Sequence, residues 1–150
     1  MFFISHRGNL NGINQNDENR PNYIINALKK NFDVEVDIWF VDGLFFLGHD
    51  KPQFSINEDF LNNKKIWFHT KNVEALNQLN IRGIHCFWHQ NDDVVLTSKG
   101  FLWTYPGKQL TKNSICVLPE ISSTPTVDCA GVCSDFILKY YNEFNKGNNF

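Results

Sequence analysis

Four groups of chemically reactive side chains stand at the ends of apolar segments in the first half of the sequence. They are His6-Arg7-Gly8, Glu35 with Asp37, His49-Asp50, and His69 with Lys71. Enzymes built on parallel β/α barrels carry their chemistry at the C-terminal ends of the strands. Carboxylates, imidazoles and fixed positive charges that meet at such an end suit a divalent metal and a phosphate ester. The pattern therefore predicts metal-assisted chemistry on a phosphate compound.

The two acidic residues lie in a segment with strict alternation. Residues 33–38 read Asp-Val-Glu-Val-Asp-Ile, so that a β-strand would place Glu35 and Asp37 on one face and the apolar residues on the other. On a half-exposed strand the acids would simply face water. Asp42-Gly43 follows between two apolar runs and is a strong signal for a two-residue hairpin turn. The returning strand would carry His49 toward the end of the sheet that bears Asp37.

Further strand and helix patterns alternate along the chain, which favours parallel strands and an α/β architecture. Besides residues 33–38, strands are predicted at residues 2–5, 44–47, 65–68, 84–88, 101–105, 115–118 and 130–133. Helices are predicted from Pro21, after a Ser55–Glu58 capping box, around Val73, Leu76 and Leu79, and from about Asp135, with a frayed Asn-rich tail.

The connections after Asn80 are too short or too polar for full helices. We therefore predict one domain, residues 1–150, folded as a reduced TIM-type (β/α) barrel. We expect about seven strands, with few complete helices in the second half. A complete barrel normally takes about 250 residues.

The bulk properties exclude several classes of function. A net charge of −2 gives no electrostatic basis for binding nucleic acid. No apolar stretch approaches the ~20 residues that span a bilayer, and no basic segment precedes the first strand, so we expect a cytoplasmic protein without a signal peptide. The four cysteines form no CxxC pair, and buried free thiols are the plainer interpretation. A zinc site of Cys86 with His85 and His89 is the alternative.

These motifs resemble those of the glycerophosphodiester phosphodiesterase family, within the superfamily of phosphatidylinositol-phospholipase-C-like phosphodiesterases. The family pattern on its β/α barrel is His-Arg-Gly, a nearby Glu-Asn-Thr, Glu-x-Asp, His-Asp and Glu-x-Lys. The matching segments here are His6-Arg7-Gly8, Glu18-Asn19-Arg20, Glu35-Val36-Asp37 and His49-Asp50, with Gly131–Asp135 similar to the closing strand. The resemblance covers roughly residues 2–71 and is weak between residues 80 and 130. His69-Thr70-Lys71 departs from it, because an imidazole replaces the usual carboxylate.

The resemblance implies a hydrolase that cleaves a small or lipid-derived phosphodiester. His6 and His49 would be its acid–base pair, and Glu35 and Asp37 would bind a divalent metal such as Mg²⁺, Ca²⁺ or Mn²⁺. His69 is either a third ligand, which would favour Mn²⁺ or Zn²⁺, or a bystander within the barrel. Arg7 and Lys71 would contact phosphate oxygens. The second-line candidates are Glu18 and Trp103 for supporting or substrate contacts, and His89 and Glu120 for a substrate contact or a metal ligand.

Two other functions remain open on the sequence. The first is a barrel that binds a phosphorylated ligand without cleaving it, although such a protein would not need both His6 and His49. The second is a metal hydrolase of another class, with His69, His49 and His89 as ligands. The sequence does not identify the alcohols of the phosphodiester, the attacking nucleophile (water or a substrate hydroxyl) or the oligomeric state.

Overall fold

The computed structural model describes residues 1–126 and 128–147. Ten strands and five helices lie in this part of the chain. The strands are β1 (Phe2–His6), β2 (Asp33–Val41), β3 (Leu44–Leu47), β4 (Phe54–Ser55), β5 (Ile66–Thr70), β6 (Cys86–Phe87), β7 (Val94–Leu96), β8 (Leu102–Thr104), β9 (Ser114–Val117) and β10 (Gly131–Ser134). The helices are α1 (Pro21–Lys29), α2 (Glu58–Leu61), α3 (Val73–Ile81), α4 (Pro119–Ser122) and α5 (Ile137–Gly147).

All of these strands belong to one sheet, and most of them run parallel. The parallel strands follow the order β6-β5-β2-β1-β10-β9-β8. The strands β3 and β4 continue antiparallel from the end of β2, and β7 pairs antiparallel with β8. Within the described residues β6 pairs with β5 alone, so the ladder does not close into a ring between β6 and β8.

The sheet curls around an apolar interior. Trp67 on β5 packs 6.0 Å from Trp103 on β8, although these two strands are not neighbours in the sheet. Ile4, Phe87 and Ile115 join them in the same cluster. A second apolar layer lies on the outer face, where α1 and α3 cover β2. The mixed α/β class is confirmed, and so is the scarcity of helices in the second half, where only four-residue α4 lies between the described strands β6 and β10.

The strand β2 shows the predicted alternation. Val34 and Val36 are buried in the outer layer, so Glu35 and Asp37 point to the concave side. The hairpin between β2 and β3 turns at Asp42 (φ 51°) and Gly43 (φ 80°), and two consecutive positive φ values define the type I′ turn that the Asp-Gly pair predicts.

Three short elements were not predicted. The strands β4 and β7 and the helix α4 each have four residues or fewer, and such segments carry too little periodicity to be recognised. Ser55 is part of β4 rather than a helix cap, because the side chain of Asn57 caps α2 by accepting from the Phe60 N–H. The prediction of a frayed tail concerns residues 148–150, which lie outside the described residues. None of the described helices combines the length and the apolar character needed to cross a bilayer.

Candidate functional site

A pocket of about 520 Å³ opens where the parallel strands end. Most of the side chains singled out in the sequence line it, namely His6, Arg7, Glu18, Glu35, His49, His69, Lys71, His89 and Trp103. Asp37 is fully buried and contacts three of them. Glu120 is absent from the lining. The pocket thus brings together residues from β1, β2, β5 and the loop after β3.

The His6-Arg7-Gly8 segment turns sharply at the end of β1. Arg7 has a φ of 52° and Gly8 a φ of 93°, so consecutive side chains at positions 6 and 7 both reach the pocket. A Cβ atom on Gly8 would lie 2.5 Å from the ring of Tyr23 in α1. Glycine is therefore required here both by the left-handed backbone and by the close approach of the helix.

His6 is held by a carboxylate from the far end of the chain. Its Nδ1–H donates to Oδ1 of Asp135 at 2.7 Å, and its Nε2 lies 3.8 Å from Oε2 of Glu35. Burial alone would lower the pKa of His6, but the hydrogen bond to Asp135 and the charge of Glu35 outweigh burial and raise it. His6 and Asp135 thus form a carboxylate–imidazole pair at the pocket wall.

Glu120 supports this pair from behind instead of facing the pocket. Its carboxylate accepts from the Asp135 N–H at 3.0 Å and from Ser134 Oγ at 2.9 Å. It therefore fixes the backbone that presents Asp135. On sequence grounds Glu120 is a candidate contact to substrate or metal, whereas in the structure its oxygens accept hydrogen bonds within the protein.

Glu35, Asp37 and His69 form an acid–imidazole cluster that could hold a metal. One potential ligand atom of each residue lies within 4.8 Å of the others. Oε2 of Glu35 and Oδ1 of Asp37 are buried, and neither accepts a hydrogen bond of good geometry within the described residues, although His69 Nδ1 lies 3.1 Å from Asp37 Oδ1. Two buried carboxylates and an imidazole whose ligand atoms converge are a donor set that fits a divalent ion. The Nε2–H of His69 donates to the carbonyl of His89 at 2.9 Å, which leaves Nδ1 facing the acids.

Positive side chains surround the same two acids. Nδ1 of His69 lies 3.1 Å from Asp37 Oδ1, Arg7 Nε lies 2.9 Å from Asp37 Oδ2, and Lys71 Nζ lies 3.6 Å from Oδ1. Although burial acts in the opposite direction, the contacts with His69 and Arg7 hold the pKa of Asp37 well below its usual range. Burial would lower the pKa of His69, but its hydrogen bonds with Asp37 and Glu35 and the charges of these carboxylates outweigh burial and raise that pKa to about 9. In the arrangement described, His69 is therefore protonated at neutral pH.

Two asparagines that the sequence analysis did not single out hold the acids in place. The side chain of Asn19 donates to Asp37 Oδ2 and accepts from the Asp37 N–H, both at 2.9 Å. Asn9 is fully buried and donates to both Glu18 and Asp135 at 2.8 Å. The only available sequence signal was the position of Asn19 beside Glu18, within the segment that resembles the family's Glu-Asn-Thr.

His49 occupies the rim of the pocket. Its side chain is 45% exposed, in contrast to 13% for His6, and its Nδ1–H donates to Asp50 at 2.7 Å. The loop that carries it begins at Gly48, whose carbonyl accepts from Trp39 Nε1 at 2.6 Å. The two histidines thus approach the pocket from a buried wall and from an exposed edge.

The other half of the pocket is largely apolar. The ring centroid of Trp103 lies 4.5 Å from that of Phe87 in the apolar core, and Trp103 also lines the pocket. Tyr105, Val117 and Leu118 line the pocket as well. The rings of His89 and Tyr105 are in contact, with centroids 4.3 Å apart and their planes tilted by 58°. Burial and the nearby charge of His69 lower the pKa of His89.

The alternative metal sites do not assemble in the described part of the chain. Its one group of three or more His, Cys, Asp or Glu side chains with converging ligand atoms is Glu35, Asp37 and His69. The set of His69, His49 and His89 therefore does not converge. The set of Cys86, His85 and His89 does not converge either, and all four cysteines are free.

Comparisons with protein-family models, with curated proteins and with solved structures find no match to this chain. The interpretation of the pocket accordingly depends on its own geometry and on the motifs of the sequence.

Proposed function

We propose that this protein is a metal-dependent phosphodiester hydrolase, similar to the glycerophosphodiester phosphodiesterases and built on a reduced TIM-type barrel. The observation that carries the proposal is that one pocket is lined by His6 and His49, by two members of the acid–imidazole cluster and by two cationic side chains. Cleavage of a phosphodiester needs a base, an acid and positive charge around one phosphoryl group, and this pocket offers all three.

In this proposal the histidines have different tasks. His6 is paired with Asp135, whose hydrogen bond helps to raise the pKa of His6, and it accepts the proton of the attacking hydroxyl. His49 lies at the exposed rim, where it can donate a proton to the departing alcohol and be reprotonated from solvent.

The phosphoryl group binds between the cations and the cluster. Arg7 and Lys71 line the pocket and donate to phosphate oxygens, while their contacts with Asp37 fix their position. A divalent ion held by Glu35, Asp37 and His69 would supply further positive charge to a non-bridging oxygen. The two hydrogen bonds from the Asn19 side chain keep Asp37 oriented for this role.

A second candidate function is a barrel that binds a phosphorylated ligand without cleaving it. The geometry that favours it is the convergence of Arg7, His69 and Lys71 around Asp37, since three such side chains can hold phosphate without a metal, and the raised pKa of His69 adds to this. In this case the half-exposed His49 would be dispensable.

The test is a panel of phosphodiesters assayed with Mg²⁺, Ca²⁺, Mn²⁺ and Zn²⁺, with EDTA as the control. We expect hydrolysis that EDTA abolishes and that His6→Gln and His49→Gln each reduce by at least about 10²-fold. Asp93→Asn, which removes a partner of Lys108 at the surface, is the matched control and should leave the rate unchanged. Phosphate-ester binding without turnover on any member of the panel would favour the second candidate.

The proposal includes a small or lipid-derived substrate and a cytoplasmic location. The free state of all four cysteines supports a reducing compartment. The net charge of −2 gives no support for a nucleic-acid substrate.

A further inference from the structure

Basic side chains are concentrated at the N-terminal ends of the parallel strands, at the end of the sheet opposite the pocket. Seven of them lie within four positions before the start of a parallel strand: Lys29 and Lys30 before β2, Lys64 and Lys65 before β5, Arg82 before β6, Lys99 before β8, and Lys112 before β9. The four positions before each of these five strands contain no Asp or Glu. We call the seven residues the basic belt, and all of them except Lys65 are exposed.

Hydrogen bonds between the loops join the basic belt into one surface. Lys65 Nζ donates to the carbonyl and the side-chain oxygen of Asn31, which links the loops before β5 and β2. Lys99 Nζ donates to the carbonyl of Gly83 at 2.8 Å and so links the loops before β8 and β6. The side chain of Asn113 donates to the carbonyl of the residue after Lys99, which adds the loop before β9. The positive charges are therefore neighbours and are not scattered over the molecule.

Acidic side chains do not balance the basic belt. Among the described residues, the one belt member that forms an ion pair with a carboxylate is Arg82, which contacts Glu58 at 2.8 Å. Lys64, Arg82 and Lys99 line a cavity of about 330 Å³ that has no acid in its lining. The acids at this end of the sheet are Asp33, Glu58, Asp59, Asp128 and Glu143, and Lys146 near the end of α5 offsets the last of them. This end therefore has an excess of three positive charges, while the rest of the chain has an excess of five negative ones, which together give the net charge of −2.

Exposed apolar side chains lie beside the basic belt. Ile81, the last residue of α3, directly precedes Arg82 and is 71% exposed. Phe2, at the start of β1, is 39% exposed, and its ring centroid lies 5.2 Å from that of Phe101 in the loop before β8. Basic and apolar side chains on one surface are typical of proteins that bind anionic membranes, because the bases are attracted to lipid phosphates while the apolar groups enter the boundary of the acyl chains. Nucleic acid offers phosphates but no such apolar layer.

We propose that the basic belt docks this protein on the surface of an anionic lipid bilayer, with the pocket facing away from the membrane. Charge complementarity identifies the partner, because each Lys or Arg near an anionic bilayer strengthens binding. The same bilayer repels the acidic part of the molecule around the pocket, so the separation of charge also fixes the orientation. The inference is independent of the proposed function, since it concerns the opposite end of the sheet and its test requires no turnover.

Sedimentation with lipid vesicles tests the docking surface. We expect the wild-type protein to bind phosphatidylcholine vesicles that contain about 30% phosphatidylglycerol and not to bind phosphatidylcholine alone. Raising the salt from about 0.1 M to about 1 M should release it, because the Debye length falls from about 10 Å to about 3 Å. The double variant Lys64→Gln, Lys99→Gln removes two charges from the belt and should weaken binding by at least about tenfold.

The matched control is the double variant Lys108→Gln, Lys139→Gln. It removes the same charge from the other end of the sheet, since Lys108 follows β8 and Lys139 lies in the first turn of α5 after β10. These positions are farther than a Debye length from a bilayer that contacts the belt, so binding should stay within about twofold of the wild type.

Two positions on α3 measure the orientation. Val73 is the first residue of this helix and Ile81 the last, about 12 Å apart along its axis, and both are exposed. In Ile81→Trp, brominated lipids should quench the added fluorescence, whereas in Val73→Trp they should not. Ile81→Ser should weaken vesicle binding by at least about threefold, because it removes apolar surface from the contact, and Val73→Ser should leave binding unchanged.

Several results would overturn the membrane surface. They are no binding to anionic vesicles, equal binding to neutral ones, equal losses in the two lysine double variants, or quenching of Val73→Trp in place of Ile81→Trp. Tighter binding to an RNA or DNA oligonucleotide than to vesicles at the same salt, lost in Lys64→Gln, Lys99→Gln, would overturn it as well and assign the belt to nucleic acid. Vesicle binding with the expected losses supports the proposal whether or not phosphodiesters are hydrolysed.

Discussion

Oδ1 of Asp135 lies 2.7 Å from Nδ1 of His6, and the two residues are separated by 129 positions in the sequence. The contact forms because β1 and β10 are neighbouring parallel strands that pair Ser5 with Ser134, so the residues that follow these two emerge side by side. The raised pKa of His6 is a consequence of this neighbourhood, since the hydrogen bond to Asp135 and the charge of Glu35 outweigh burial. The pKa of His6 on the first strand thus depends on a residue that follows the last strand.

Asp135→Asn tests this coupling. If His6 is the base, activity rises with pH as His6 loses its proton. Removing the carboxylate charge lowers the pKa of His6, so the rising limb of the pH–rate profile should shift toward acid pH. The rate at the plateau should fall by on the order of 10²-fold, because the imidazole also loses its orientation.

Asp50→Asn is the control for this experiment, because Asp50 accepts from His49 Nδ1 at the same 2.7 Å but is 91% exposed. An exposed ion pair contributes about 0–1 kcal/mol, so its removal should change the rate by about fivefold at most. An unshifted limb in Asp135→Asn would rule out His6 as the titrating base.

Metal binding should release a proton from His69. In the metal-free arrangement the pKa of His69 is about 9, and its Nδ1 can serve as a ligand only after losing its proton. Metal affinity should therefore increase about tenfold per pH unit between pH 6 and 8 and level off near pH 9. Calorimetry in buffers of different ionisation enthalpy should give about one proton released per metal. Binding without proton release would identify His69 as a bystander.

Substitution of His69 should change the metal preference. His69→Glu restores a negative oxygen ligand and should favour Mg²⁺ or Ca²⁺, whereas the wild type should prefer Mn²⁺ or Zn²⁺. His69→Ala should weaken binding of all four ions. Activity and affinity measured with each metal provide the check, and the same metal dependence in both variants would assign the metal to Glu35, Asp37 and water.

Asp37 should be essential for stability as well as for metal binding. Asp37→Asn leaves Arg7, His69 and Lys71 without their shared counter-charge in a buried site, and should lower the free energy of unfolding by about 3 kcal/mol. Because the folded pKa of Asp37 is depressed, its contribution is present above the ordinary value of 3.8 and is lost as the pH falls below it.

Urea unfolding at pH 7 and pH 3 measures this contribution, with Asp93→Asn as the control. Asp93 pairs with Lys108 at the surface, so its loss should cost less than about 1 kcal/mol at either pH. If Asp37→Asn lowered the free energy of unfolding as little as Asp93→Asn, solvent would already screen the buried charges.

Gly8→Ala should destabilise the fold more than Gly43→Ala. Both glycines have a positive φ, but a Cβ atom on Gly8 would meet Tyr23 at 2.5 Å, whereas nothing lies within 4 Å of one on Gly43. We expect a cost of about 1 kcal/mol for Gly43→Ala and of at least about 2 kcal/mol for Gly8→Ala, measured by thermal unfolding. Equal costs would mean that α1 moves away without penalty.

Much of the local structure could be predicted from the sequence, because it depends on periodicity and on single residue types. The alternation in residues 33–38 predicted the strand and the common face of Glu35 and Asp37. The Asp42-Gly43 pair predicted its turn. The short strands β4 and β7 escaped prediction, because pairing with a neighbouring strand stabilises segments too short to show a period. The helix α4, with four residues, is also too short to show one.

By itself the sequence determined which residue types occur at which strand ends, since a strand of period two fixes the face of every side chain it carries. Only the tertiary structure decided which strand ends are neighbours. The pairing of β1 with β10 brings Asp135 to His6, and the pairing of β2 with β5 brings His69 to Asp37. The burial of each side chain also depends on the tertiary structure, because it depends on how the sheet curls. His49 is exposed at the rim of the pocket, whereas His89 is buried with both ring nitrogens unpaired within the described residues. Local periodicity carries no information about these distant contacts, and the proposed chemistry of the pocket depends on them.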